Sequence, residues 1–240
     1  MPLQAVESSR LYRQIAEQLR GLIAGGEFAA GARLPAERDL ARQLGVSRPS
    51  VREALIALEV EGWVEVRTGS GIYVQPQARR DGAARAAASN GTAEWGPFEV
   101  MQARELVEGE VAALAARNAK KPQLAAMASA LAQMRAEAGS GAGPQSGDEA
   151  FHQAIAQACG NEVLSDTVRS YWRARQGPLF SRLGDYFENP ASRQAAVAEH
   201  ATVLEAIRAR DAEAARAAMQ QHLKKSTARY SASWKRANKP

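Results

Sequence analysis

The chain has 240 residues, 45% hydrophobic and 24% charged, which fits a soluble globular protein with room for two domains of ordinary size. One cysteine, Cys159, excludes an internal disulfide. No apolar run nears the roughly 18–20 residues of a membrane span, and Glu7, Arg10, Arg13 and Glu17 interrupt any leader-like stretch, so a cytoplasmic protein without a membrane partner is expected.

The formal net charge is +5, but it is unevenly placed. Residues 1–78 carry nine Arg and nine acids, whereas the stretch from Leu223 to Pro240 carries six bases and no acid. That tail reads as a solvated helix end. A case for nucleic acid has to rest on where particular arginines stand.

In chain order, Leu11, Ile15, Leu19, Leu22 and Ile23 trace an apolar helical stripe, stopped by Gly25 and Gly26. PAERDLARQLG then predicts a short helix with Leu40 and Leu44 facing inward and a tight turn at Gly45. Ser47 suits the N-cap of a third helix, Pro49 is tolerated in its first turn, and Val51, Leu55 and Leu58 form its inner face. WVEVR and GIYVQ alternate as two strands around TGSG, a hairpin. This order is that of a winged helix-turn-helix over residues 8–75, whose third helix enters the DNA major groove. Arg48, Ser50 and Arg52 are expected on its outward face, with Arg38 nearby and the glycine-rich tip around Gly69 free to approach DNA closely. Each arginine taken singly is as well explained by a solvated helix face.

Residues 76–97 are rich in Ala, Gly and Arg without an apolar period, and read as a linker. Residues 98–229 are helical in pattern, and residues 230–240 form a polar tail. The expected fold is therefore mainly α. The second segment holds all three histidines. Asp148 precedes His152 by four residues, on one helix face. His200 and His222 flank a turn at Arg210-Asp211 at nearly equal distance, so at about 1.5 Å per residue they reach the same height. One carboxylate and three imidazoles could converge on a divalent metal such as zinc or nickel, or each histidine is a packed core residue.

The stretch LPAERDLARQLGVSRPSVREALIALEVEGWVEVRTGSGIYV resembles the DNA-binding domain of GntR-type regulators. That resemblance implies a homodimer reading palindromic operator DNA through Arg38, Arg48, Ser50, Arg52 and Gly69; Pro49 departs from the pattern, where Thr is common. The Asp148, His152, His200, His222 arrangement resembles the ligand domain of the FadR branch. It implies a bundle of six or seven helices that binds a small carboxylate through a metal, with Arg104 facing the cavity. Without the resemblance, Arg104 reads equally well as a surface pair with Glu108. Segments such as GPFEVMQARELVE and SYWRARQGPLF are similar to repressors of hexuronate utilisation, which adds Trp172 and Arg175 as pocket candidates beside their plainer roles in packing and at the surface. The implied effector is a hexuronate or a related sugar acid; lactate, pyruvate or a similar organic acid is the alternative. A zinc hydrolase and a pure dimerisation module are the rival classes, and no general base in the motif supports the first.

Overall fold

The computed structural model of the protein describes residues 10–76, 95–140 and 146–231, in two compact units that divide between Phe98 and Glu99. Most of the expected linker (residues 77–94) and of the expected tail (232–240) lies outside the described residues.

In the N-terminal unit, α1 (Leu11–Ala24) buries Tyr12, Ile15, Ala16, Leu19 and Ile23. Leu11 and Leu22, expected on the stripe, are 44% and 40% exposed. The helix turns instead to bury Tyr12, whose ring removes more apolar area from water than a leucine does. Next, α2 (Glu37–Leu44) ends at Gly45 with φ 66°, a left-handed turn that a side chain disfavours. Ser47 then caps α3 (Arg48–Val60), its hydroxyl accepting from Ser50 N–H at 3.2 Å, with Pro49 in the first turn. Every residue from Val51 to Leu58 is buried, so α3 is the central rod of this unit and α1, α2 and β1 pack on it.

The wing pairs β1 (Val64–Arg67) antiparallel with β2 (Gly71–Val74), Arg67 opposite Gly71. Val64, Val66, Ile72 and Val74 bury one face of the hairpin. The free edge of β2 is covered by residues 31–34: Gly31 N–H donates to Val74 O at 2.9 Å and Leu34 N–H to Ile72 O at 2.8 Å, which sets Arg33 across from Tyr73. Covering an edge in this way satisfies its hydrogen bonds and blocks stray pairing.

The C-terminal unit is built from α4 (Pro97–Asn118; from Glu99 onward), α5 (Lys121–Ser140), α6 (Ser146–Ala158), α7 (Glu162–Arg175), α8 (Pro178–Phe187), α9 (Pro190–Arg208) and α10 (Ala212–Tyr230). The main packings are α5 on α6, α9 on α10 and α5, and α6 on α7. Alanines at 112, 115, 116 and 215 are fully buried beside Met127, Phe151, Ile155, Val203 and Leu204; their small side chains let helices approach closely. The α9–α10 turn uses Arg210 at φ 60°, and Asp211 caps α10 by accepting from Ala214 N–H. The Arg210 guanidinium donates to the carbonyls of Ala116 (3.1 Å) and Ala119 (2.5 Å), which ties the turn to the end of α4.

Candidate nucleic-acid interface and metal centre

A hollow of about 390 Å³ lies in the N-terminal unit, lined by Arg33, Arg38, Glu37, Arg48, Arg67 and the wing residues Gly69 to Ile72. Arg38 is 78% exposed and Arg48 51% exposed at the side chain. Ser50 sits in the first turn of α3, its hydroxyl 2.8 Å from that of Ser47. Gly69 is at the wing tip with φ 77°. Three of the five expected contact positions, Arg38, Arg48 and Gly69, line this hollow, and Ser50 is in the first turn of α3, two residues after Arg48.

Arg52 does not. It is 1% exposed, and its guanidinium grips the Glu37 carboxylate twice, Nε to Oε2 at 2.9 Å and Nη2 to Oε1 at 3.0 Å. The expectation that Arg48 and Arg52 share an outward face is corrected. Because α3 is buried nearly all round, one helical turn carries the side chain from the rim to the interior. Glu37, itself 6% exposed, also accepts from Arg48 Nε at 2.9 Å, so one buried carboxylate orders both arginines. Arg33 and Arg67 line the same hollow and were not foreseen, since no local pattern shows which strand edge they flank.

In the C-terminal unit, Asp148, His152, His200 and His222 each present a ligand atom, all within 4.8 Å of one another. The His200 and His222 ring centroids are 4.2 Å apart, as expected for equal heights above the Arg210-Asp211 turn. His152 Nδ1 is bound by Glu108 Oε2, His200 Nδ1 by Ala196 O at 2.7 Å, and His222 Nδ1 by Glu199 Oε2 at 2.9 Å. Each imidazole thus has an acceptor at Nδ1, which fixes the tautomer with Nε2 free.

The donor set suits a metal ion on the atoms themselves. His152 Nε2 and His200 Nε2 face each other at 3.0 Å, two lone pairs that a shared cation relieves. Asp148 Oδ1 is 3.0 Å from His200 Nε2, yet nothing among the described residues donates to it in hydrogen-bonding geometry. Burial, followed by the neighbouring histidines, lowers the His222 pKa well below the ordinary value; burial, only partly opposed by Glu108, lowers that of His152. Burial would raise the Asp148 pKa, but His200, His152 and Arg175 outweigh it and hold the carboxyl well below its usual range. A neutral His152, a neutral His222 and an ionised Asp148 are forms that can bind a metal.

Two acids that the sequence did not single out hold the ligands in place. Glu108 is 2% exposed; burial would raise its pKa, but Arg104 and His152 hold it at about 2. Glu199 orients His222 and is held by Arg229 Nη2 at 2.6 and 2.7 Å. Their only local sign was adjacency, Glu108 four residues after Arg104 and Glu199 just before His200. Glu199→Ala is expected to weaken metal affinity about 10–100-fold without changing the circular dichroism spectrum of the metal-free protein. Unchanged affinity by competitive chelator titration would show that His222 needs no such support.

A cleft opens beside the cluster, lined by Arg104, Asp148, Arg175, Glu188, Ser192, Arg193, His222, Ser226 and Tyr230. Arg104 is 1% exposed; its pair with Glu108 exists at 2.5 Å but is buried, not at the surface. Arg175 is 15% exposed and lies 3.6 Å from Asp148 Oδ2. Arg193 Nε is buried without a hydrogen-bond partner among the described residues. Trp172, expected as a pocket candidate, is not part of the lining: it is 4% exposed, with the Arg104 and Arg175 guanidinium groups each 4.6 Å from its ring centroid. Its face is used to stack those two cations.

Comparison with known proteins agrees with both halves. Residues 11–74 match the family described as bacterial regulatory proteins, gntR family, and residues 99–225 match the FCD domain. The chain is 38% identical over 222 residues to the Uxu operon transcriptional regulator of Escherichia coli K12, covering 91% of this chain and 86% of that one. It is 37% identical over 224 residues to the Exu regulon transcriptional regulator of the same strain (92% and 84% covered). It is 34% identical over 222 residues to the putative L-lactate dehydrogenase operon regulatory protein of that strain (89% and 84%). Among solved structures, E. coli McbR/YncC shares the fold with a TM-score of 0.50 at 24% identity, covering 92% and 97%. The three E. coli relatives by sequence are named as regulators, so the hydrolase reading falls away. An N-terminal reader of DNA and a C-terminal helical unit with a metal-competent cluster make this chain a member of the GntR family of transcription regulators, of the FadR type with an FCD domain.

Proposed function

We propose that the chain represses transcription as a homodimer on an inverted-repeat operator, and that a hexuronate or related sugar acid, held beside a divalent zinc or nickel ion, sets its affinity for that operator. Arg38, Arg48, Ser50 and Gly69 are the proposed DNA contacts. Asp148, His152, His200 and His222 are the proposed metal ligands; a bound ion would supply a Lewis-acidic seat for a carboxylate. The E. coli relatives named for the Uxu operon and the Exu regulon support the effector class.

The observation that carries the reading is the polarity of the cleft. Arg175, Arg193, Ser192, Ser226, Tyr230 and Glu188 line it with more polar groups than one carboxylate engages, some of them bonded to each other, as Tyr230 Oη donating to Glu188 Oε1 at 2.5 Å. A site built to bond hydroxyls rejects acids that lack them, because its buried polar groups are then left unpaired. The cleft encloses only about 50 Å³, against roughly 300 Å³ and upward for small-molecule sites. A sugar acid must therefore open it, and that rearrangement gives the ligand unequal affinity for two states, which is the requirement for control. The same tightness favours a second reading, a small acid such as lactate or pyruvate.

Thermal unfolding of the metal-loaded protein with galacturonate, glucuronate, lactate and pyruvate separates the two. A hexuronate at one hundred times its Kd is expected to add about 2.7 kcal/mol of stability, with no shift from lactate or pyruvate. A shift from the small acids alone would overturn the sugar-acid assignment.

A further inference from the structure

The arginines around the DNA-facing hollow differ in one respect. Arg48 pairs with Glu37 at 2.9 Å, Arg67 with Glu65 at 3.0 Å, and Arg38 lies 3.7 Å from Asp39. Arg33, exposed in the same hollow, has no carboxylate partner among the described residues. Its place is nonetheless fixed. Backbone pairing of residues 31–34 with β2 sets Arg33 across from Tyr73. Its guanidinium lies directly on Gly71, where a Cβ would fall 2.4 Å from Arg33 Nε. Gly71 has φ 137°, a backbone conformation that favours glycine, and the Arg33 side chain rests over its open Cα.

A cation held against the wing, with no carboxylate partner among the described residues, is placed to take its counter-ion from the ligand. We propose that Arg33, seated on Gly71, is a phosphate-binding residue that clamps the DNA backbone beside the wing, distinct from the positions at the start of α3. A planar guanidinium, one edge on the wing and its Nη groups free, matches the oxygens of a phosphodiester better than a mobile ammonium does. The contact carries no sequence information; it fixes the register in which Arg48 meets the bases. The inference rests on the assignment of this hollow to DNA.

The test uses the full-length protein and two labelled duplexes of equal length: one enriched by the wild-type protein from a random pool, one unrelated. Fluorescence anisotropy is read across a salt series. Arg33→Ala is expected to weaken binding to both duplexes by the same factor and to flatten the plot of log Kobs against log salt by about 0.9 for each phosphate released. Arg33→Lys keeps the charge and is expected to keep most of the slope; Arg33→Gln is expected to behave as the alanine variant. Arg48→Ala, measured alongside, loses the enriched duplex selectively if the hollow meets DNA. If Arg48→Ala acts so while the Arg33 variants leave affinity and slope unchanged, the phosphate clamp is wrong and the DNA face stands. A loss confined to the enriched duplex in Arg33→Ala would also overturn the proposal, since it would mark a base contact. If neither position matters, the assignment of the hollow itself fails.

Discussion

Arg48→Ala is expected to remove sequence-selective DNA binding from a folded protein, whereas Arg52→Ala is expected to unfold the N-terminal unit. The two residues sit one turn apart, and their environments decide the difference. Arg48 is 51% exposed at the side chain and spends only Nε on Glu37. Its two Nη groups remain for a guanine edge, worth about 1–3 kcal/mol per pair. With two copies on an inverted repeat the loss is about 2–6 kcal/mol, roughly 30-fold to more than 10⁴-fold. Arg52 is 2% exposed at the side chain and neutralises a Glu37 carboxylate that is 5% exposed. Removing one partner of such a buried pair costs about 3–5 kcal/mol, a large share of the stability of a small domain. Duplex-binding titrations and thermal melts of both variants check this. Retained selectivity in Arg48→Ala would move the recognition surface elsewhere. A normal melt with lost selectivity in Arg52→Ala would return Arg52 to the DNA face.

His200→Ala combined with His222→Ala is expected to take metal content by elemental analysis from about one ion per chain to none. Two of the four ligands go, and the remaining pair, Asp148 and His152, is a weak site in competition with water. Acid should act in the same direction, because protons compete for the same Nε2 lone pairs. The lowered pKa values of His152 and His222 carry a sign for stability. Below the ordinary histidine value of about 6.5, the unfolded chain binds protons that the folded chain refuses, so the metal-free protein loses stability as pH falls through that range. Metal content that survives the double substitution would mean that the ion sits elsewhere.

Much of this was legible from local chemistry. The Ser47 cap, Pro49 in the first turn, the wing glycine and the Arg210-Asp211 turn each depend on residues close in sequence, and each is found where spacing places it. The histidine convergence followed from counting rise per residue on both sides of one turn. Interactions across long separations escaped. Arg52 meets Glu37 fifteen residues away, His152 meets Glu108 at a separation of 44, and Arg33 is set by a strand edge some 40 residues downstream. Periodicity also could not say that α3 is buried on nearly every side, and an i,i+4 pair on such a helix does not share one solvent face. Trp172 was placed in the right neighbourhood but given the wrong neighbour: two arginines reach its ring before any ligand can.

Control of operator binding requires that a sugar acid change the protein's grip on DNA. The direct measurement is the affinity of the metal-loaded protein for its enriched inverted-repeat duplex, at fixed salt, with and without saturating galacturonate. A change of about 5–150-fold, the range of a 1–3 kcal/mol coupling, is the predicted result. Identical affinity in the two conditions, with galacturonate shown by calorimetry to be bound, would contradict it.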